Sequence, residues 1–67
     1  MVVRINGKPY DAPEGVSTVE ELTVLMKLKP QNTLLKLNHQ HLPWDQWPLT
    51  PVAADDLIEI LVFVSGG

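Results

Sequence analysis

The order of apolar and polar residues predicts a β-hairpin at the start of the chain. Within residues 1–12, two segments that alternate apolar and polar positions flank the dipeptide Asn6-Gly7. A two-residue Asn-Gly link favours a type I′ turn, because that turn requires a positive φ at both positions. The turn places Val3 opposite Tyr10, so the apolar residues of both strands share one face. Because Pro9 has no N–H to donate, the second strand is expected at or near an edge of the sheet.

One amphipathic helix is predicted after the hairpin. Two overlapping capping boxes mark its start, Ser17 with Glu20 and Thr18 with Glu21. Apolar residues at helical spacing then form one stripe that is expected to be buried: Val19, Leu22, Leu25 and Met26. Pro30 ends this segment after about three turns. Two lysines near the end suit the negative pole of the helix dipole, Lys27 and Lys29.

Residues 33–42 predict two short strands. Thr33–Asn38 alternates so that Leu35 and Leu37 share one face, and Asn38-His39-Gln40 is typical of a turn. His41-Leu42 is then expected to form a short return strand.

The segment Trp44–Trp47 is long enough for one helical turn, which Pro48 closes. Large aromatic residues in a small domain usually pack inside. Trp47 is therefore expected in the core, and Trp44 is left unassigned.

The last strand is predicted over Leu57–Val64, a nearly continuous apolar run. Such a run is typical of a strand in the middle of a sheet that is buried on both faces. Its alternation places Glu59 on one face with Leu61 and Phe63, which marks that face as accessible to solvent.

Together these elements predict an α+β fold, in which one main helix packs on one face of a mixed sheet of four to five strands. The first and last strands are expected to pair in parallel at the centre of the sheet. This is the order of the ubiquitin-like β-grasp fold.

Composition narrows the class of protein. The chain has 67 residues, 45% of them hydrophobic, a formal net charge of -3 and no cysteine. This length supports one small core, and the acidic balance argues against a nucleic-acid partner. The sequence has neither a transmembrane-length apolar run nor a signal-peptide pattern at its start. We therefore expect a single domain over residues 1–67 that is cytoplasmic, has no membrane partner and is monomeric when free.

The polar residues predict no catalytic or metal site. His39 and His41 lack a carboxylate or cysteine at ligand spacing, and adjacent Asp55 and Asp56 diverge on an extended chain. There is no phosphate-binding Gly-rich loop and no nucleophile paired with a base. Any activation chemistry must then come from a partner.

Several motifs occur together in one order. They are Asn6-Gly7 after the opening strand, Thr18-Val19-x-x-Leu22 at the helix start, Leu42-Pro43 and Trp47 in the middle, and the terminal Gly66-Gly67. Over the whole chain this pattern resembles the ThiS family, the sulfur-carrier proteins of thiazole formation in thiamine biosynthesis. Where that family commonly has Asp-Gly-Asp, this chain has Ala54-Asp55-Asp56, a turn that requires Asp55 to adopt a left-handed backbone.

The resemblance implies a function for the C-terminus. The Gly67 carboxylate would be adenylated with ATP by a ubiquitin-activating-type adenylyltransferase (ThiF type) and converted to a thiocarboxylate. A cysteine desulfurase relay is one source of the sulfur, and a thiazole synthase (ThiG type) would receive it. The chain itself would be a protein co-substrate, not an enzyme, with no permanently bound cofactor.

Simple chemistry favours the same arrangement. A carboxylate is a poor electrophile until its oxygen becomes part of a leaving group, so activation must precede attack by sulfur. Gly66 and Gly67 have no Cβ, so a flexible Gly-Gly tail (about 65–67) can thread a narrow channel. Ser65 and Val64 would enter the same channel.

A partner-binding face is predicted beside the tail. Leu61 and Phe63 would form an apolar patch with Val2 and Leu34, rimmed by three charged residues, Arg4, Lys36 and Glu59. The other possibility is that Leu61 and Phe63 pack laterally against the Trp47 segment. Other functions also remain open: a molybdopterin-synthase small subunit, a ubiquitin-like modifier of lysines, or a plain β-grasp interaction module.

Overall fold

The fold is described for residues 1–64 by a computed structural model. Within that range the strands are β1 (Val2–Ile5), β2 (Lys8–Asp11), β3 (Thr33–Leu37), β4 (Gln40–His41) and β5 (Leu57–Val62). The helix α1 spans Val19–Leu25, and two 3₁₀ helices span Pro30–Asn32 and Trp44–Leu49.

The five strands form one mixed sheet in the order β2-β1-β5-β3-β4. β1 and β5 are parallel neighbours, and the other pairs are antiparallel. This confirms the predicted parallel pairing of the first and last strands. The hairpin register is also confirmed, since Val3 lies opposite Tyr10 and Pro9 lies in an edge strand.

Two tight turns of the same kind connect the antiparallel pairs at either side of the sheet. Asn6 and Gly7 have φ of 51° and 82°, as a type I′ turn requires. Asn38 and His39 have φ of 51° and 72°. Because this second turn has two residues and not the three predicted, β4 begins at Gln40, one residue earlier than the sequence indicated.

Of the two possible capping boxes at the start of α1, the structure forms the one between Thr18 and Glu21. The Glu21 backbone N–H donates to the Thr18 hydroxyl at 3.2 Å, and the Thr18 N–H donates to the Glu21 carboxylate at 3.0 Å. Ser17 also binds Glu21, its hydroxyl donating at 2.7 Å, so its predicted pairing with Glu20 is wrong.

The helix is shorter than predicted because its C-terminus is closed by a left-handed residue. Lys27 has a φ of 61°, and two backbone hydrogen bonds of a Schellman motif join Lys27 to Val24 at 3.0 Å and Leu28 to Thr23 at 2.9 Å. Lys27 and Lys29 therefore lie outside the helix, whose last turn contains no basic residue.

The buried stripe of α1 also differs from the prediction at one position. Val19 and Leu22 are buried, but Leu25 is 45% exposed. Six residues after Val19, Leu25 is rotated well away from the buried face, which Thr23 occupies instead. The Thr23 hydroxyl is satisfied there by donating to the Glu20 carbonyl at 2.8 Å.

The core lies between α1 and one face of the sheet. Its buried residues come from three strands, α1, the second 3₁₀ helix and two connecting segments: Val3, Ala12, Val19, Leu22, Leu35, Trp47, Val52 and Ile58. Trp47 is confirmed as a core residue, and its indole N–H donates to the Leu42 carbonyl at 3.0 Å. Trp44 is 65% exposed. The 3₁₀ helix carrying both tryptophans includes Pro48 and extends to Leu49, so Pro48 does not end it as predicted.

β5 is in the middle of the sheet, as expected, but only one of its faces is covered. Ile58 is buried, whereas Glu59 and Leu61 are exposed. The prediction of burial on both faces is wrong, because the packed layer lies on one side of the sheet only. β5 also ends at Val62, two residues earlier than predicted. The turn before it is confirmed, with Asp55 at a φ of 68°.

Candidate functional site

The end of β5 is the candidate site because the C-terminal residues continue from it. Val64, the last residue described, is 90% exposed. The predictions for Ser65, Gly66 and Gly67 lie outside the described residues.

An apolar patch lies on the open face of the sheet just before that end. Leu61 and Phe63 are 54% and 53% exposed, and Leu34 lies directly opposite Leu61 on β3. Opposite residues of antiparallel strands have their Cβ atoms about 5 Å apart, so these leucines are neighbours. The other possibility, lateral packing against the Trp47 segment, is wrong because Leu61 and Phe63 are exposed while Trp47 is in the core. We call Leu34, Leu61 and Phe63 the open-face patch.

Charged residues flank the open-face patch along the same strands. Lys36 lies opposite Glu59, and His39 Nδ1 lies 3.5 Å from a Glu59 carboxylate oxygen, an ion pair when the imidazole is protonated. A shallow depression of about 250 Å³ is lined by Lys36 and Glu59 together with Leu34 and Leu61. The predicted neighbours Leu34, Lys36, Glu59 and Leu61 are thus brought together.

Val2 is not part of this patch. The Asp55 N–H donates to the Val2 carbonyl at 2.8 Å, so Val2 is level with the turn that precedes β5. Leu61 lies six residues further along, roughly 20 Å away at the rise of a strand. The predicted continuity with Val2 is wrong, because parallel pairing places the start of β1 beside the start of β5. Arg4 pairs with Leu57, also several residues before Leu61.

Two asparagines that were predicted only as turn residues hold β5 in place. The Asn6 side chain binds Ile60 twice: its Oδ1 accepts from the Ile60 N–H at 2.7 Å, and its Nδ2 donates to the Ile60 carbonyl at 3.1 Å. At the other end of the strand, Asn38 Oδ1 accepts from the Leu57 N–H at 3.0 Å. Each amide takes the place of a backbone peptide group beside β5.

Asn6 and Asn38 share a feature that a sequence can reveal. Both occupy the first position of a two-residue turn, where an asparagine tolerates the left-handed backbone. Glycine tolerates the left-handed backbone equally well but has no side-chain amide to form hydrogen bonds. An asparagine at such a position is therefore a candidate for binding a neighbouring strand.

Within residues 1–64, no three His, Asp or Glu side chains lie close enough together to hold a metal ion. The helices of this part of the chain are too short or too polar to cross a membrane.

Two solved structures are similar to this chain over its whole length. A crystal structure of the thiamine biosynthesis protein ThiS from Geobacter metallireducens has a TM-score of 0.83 at 30% sequence identity, with all of both chains covered. A solution structure of a thiamine biosynthesis protein from the same organism has a TM-score of 0.82 at 30% identity, covering 100% of this chain and 88% of that one. A search of curated proteins finds no match.

The mixed five-stranded sheet and the one main helix of residues 1–64 define a ubiquitin-like β-grasp protein. The model of the ThiS family matches residues 3–67. The chain belongs to the ThiS family, the ThiS-type sulfur carriers of thiamine biosynthesis.

Proposed function

We propose that the chain carries sulfur as a thiocarboxylate on Gly67 and donates it to a ThiG-type thiazole synthase. In the first step, a Gly67 carboxylate oxygen attacks the α-phosphate of ATP on a ThiF-type enzyme, and pyrophosphate leaves. In the second step, sulfide attacks the acyl carbon to form the thiocarboxylate, and AMP leaves with the carboxylate oxygen. The chain is a co-substrate of both partner enzymes.

The observation that carries this proposal is the position of the open-face patch. Leu61 and Phe63 are large, apolar and exposed, and they lie within six residues of Gly67 on the strand that leads to it. A partner that covers this patch would receive the tail in its active site. Exposed apolar surface rimmed by charges is typical of a protein interface.

The hydrogen bonds of β5 support the same proposal. The strand is bonded on both sides, by the Asn6 amide at Ile60 and by the Phe63 N–H, which donates to the Asn32 carbonyl at 2.7 Å. The patch is therefore presented on a fixed strand, and little ordering is needed when a partner binds.

Intact mass spectrometry tests the proposed chemistry. The chain is incubated with ATP, sulfide and a ThiF-type enzyme, and replacement of one oxygen by sulfur adds about 16 Da. Deleting Gly67 should abolish that change while the unfolding temperature stays the same within error, because a terminal glycine has no side chain to contribute to the core. The deletion variant is the matched control.

The other outcomes decide between the alternatives. Conjugates of higher mass would indicate a protein modifier, and an unchanged mass would indicate an interaction module. Thiocarboxylate formation with transfer to molybdopterin synthase partners, and not to thiazole synthase, would indicate the molybdopterin pathway. Thiocarboxylate on the Gly67 deletion variant would contradict the assigned site.

A further inference from the structure

The backbone groups of β5 alternate between the two neighbouring strands. Leu57 and Phe63 bond towards β3, through Asn38 and Asn32. The even-numbered residues face β1: the Ile58 carbonyl accepts from the Asn6 N–H at 2.9 Å, and Ile60 binds the Asn6 side chain. This alternation directs the N–H and carbonyl of Val62 towards the β1 side.

β1 ends before it reaches Val62. The last backbone pairing of β1 with β5 joins Ile5 to Ile58, and the Asn6 amide adds one further rung at Ile60. On the other side Val62 lies opposite Thr33, in a position of the antiparallel ladder where the two residues exchange no hydrogen bonds. Among residues 1–64, the Val62 peptide groups therefore have no strand beside them.

This short edge lacks the proline and the charged side chain that protect the outer strand β2. Proteins usually shield free edges with proline, with charged side chains or by keeping the edge strand very short. β2 carries Pro9 and Lys8, and β4 has two residues. Residues 61–64 are Leu, Val, Phe and Val, without a charge or a proline.

We infer that the Val62 edge is a docking site for an extended strand of the adenylating enzyme. This inference rests on the proposed function, because the enzyme that holds the Gly67 carboxylate must also contact the residues just before it. The partner strand would bond to the N–H and carbonyl of Val62 and continue the ladder that the Asn6 amide begins. Its side chains would be apolar, since the side chains of this edge are apolar on both faces.

A second copy of the chain fits this edge poorly. A stable interface buries about 1,200 to 2,000 Å². The edge of residues 62–64 is only about 10 Å long at the rise of a strand. Such a short ladder supports a stable complex only when the same partner also covers the adjacent open-face patch.

Amide hydrogen exchange tests the docking directly. Exchange of each backbone amide is measured by NMR with the chain free and with a ThiF-type enzyme added. Exchange at Val62 should slow about tenfold or more in the complex, because a free N–H becomes bonded. Phe63, whose N–H already donates to Asn32 at 2.7 Å, is the internal control and should change much less.

A pair of substitutions tests the energetic contribution. Val62→Pro removes the N–H that faces the free edge and should weaken binding to the enzyme about 3- to 10-fold. Val62→Thr is the matched control, since it keeps the N–H and the β-branched shape. If Val62→Pro lowers the urea midpoint, an amide-to-ester replacement at residue 62 removes the same donor without the ring. That variant is obtained by joining a synthetic C-terminal segment, which carries the ester, to the rest of the chain at Ala54.

The outcomes separate this inference from the proposed function. If no complex forms with the enzyme, both are wrong. If a complex forms and the open-face patch is covered while Val62 exchanges as fast as in the free chain, only the strand pairing is wrong. Slow exchange at Val62 that rises with the concentration of the free chain would identify a second copy as the occupant and would overturn the inference.

Discussion

The two faces of the β-sheet are built from alternate residues of the same strands, yet they have different neighbours. On one face Leu35 and Ile58 are fully buried in the core with α1 and Trp47. On the other, Leu61 and Phe63 are each more than half exposed. Burial of a large apolar side chain stabilises a fold by about 1.5 to 3 kcal/mol, and an exposed one contributes little. Residues of similar chemistry therefore stabilise the fold on one face and remain available for binding on the other.

The largest expected effect compares one leucine from each face. Leu35→Ala should lower the free energy of unfolding by about 2 to 5 kcal/mol, because it leaves a cavity in a fully buried position. Leu61→Ala makes the same chemical change at a residue that is 54% exposed and should cost less than about 1 kcal/mol. Urea unfolding of both variants measures the difference. Equal losses would show that the open face is part of the core.

The second effect concerns binding by the open face. Leu61→Ser and Phe63→Ser should each weaken binding to the ThiF-type enzyme by about 1 to 3 kcal/mol, as expected for apolar anchors at an interface. Isothermal titration calorimetry with the folded variants measures the change in binding free energy. Val24→Ser is a suitable control, since Val24 is 68% exposed but lies on α1, away from the sheet. Unchanged affinity of both open-face variants would remove this face from the proposed interface.

The third effect concerns the Asn6 side-chain amide, which binds the backbone of β5 at the centre of the sheet. Asn6→Gly keeps the left-handed turn, because glycine adopts a φ of 51° without strain, but it removes both bonds to Ile60. A loss of about 1 kcal/mol is expected from these exposed hydrogen bonds. Asn6→Asp keeps the acceptor and loses the donor, so its free energy of unfolding should lie between those of the parent and Asn6→Gly. If Asn6→Gly is as stable as the parent, the amide does not hold β5.

The covered face was largely predictable from the sequence. Alternation in Thr33–Leu37, the Asn6-Gly7 turn and the capping box at Thr18 are local signals, and each appears where it was expected. The end of α1 was not predictable, because Lys27 adopts a left-handed backbone that most sequences reserve for glycine. That turn is closed by local backbone hydrogen bonds that the residue types do not indicate.

The open face was only partly predictable. The alternation of β5 identified Leu61 and Phe63, because Glu59 marks their side as accessible. The predicted contact of Val2 with this patch is wrong, because alternation predicts which face a residue occupies but not which residues of the neighbouring strand lie beside it. The turn position of Asn6 is a local signal that its amide can bind a neighbouring strand, but its partner Ile60 lies 54 positions away and has no such signal.

The smallest expected effect is a pH dependence at the cap of α1, on the covered side of the sheet. Hydrogen bonds to the Glu21 carboxylate lower the pKa of Glu21 below its ordinary value of 4.5. The donors, from the largest effect to the smallest, are the Ser17 hydroxyl, the Ser17 N–H, the Thr18 hydroxyl and the Thr18 N–H. A carboxyl whose pKa is lower in the folded state stabilises the fold above its unfolded pKa, and this stabilisation is lost as the pH falls through the folded pKa. The free energy of unfolding should therefore decrease from about pH 5 to about pH 3, and Glu21→Gln should remove part of that slope. Because Glu21 is exposed, the change will be small, and urea unfolding at closely spaced pH values is the suitable measurement.

Glu20→Gln is the matched control, as Glu20 lies in the same turn but takes no part in the capping box. The same slope in Glu21→Gln and Glu20→Gln would show that the cap does not contribute to acid stability, and that the covered face depends on its apolar packing alone.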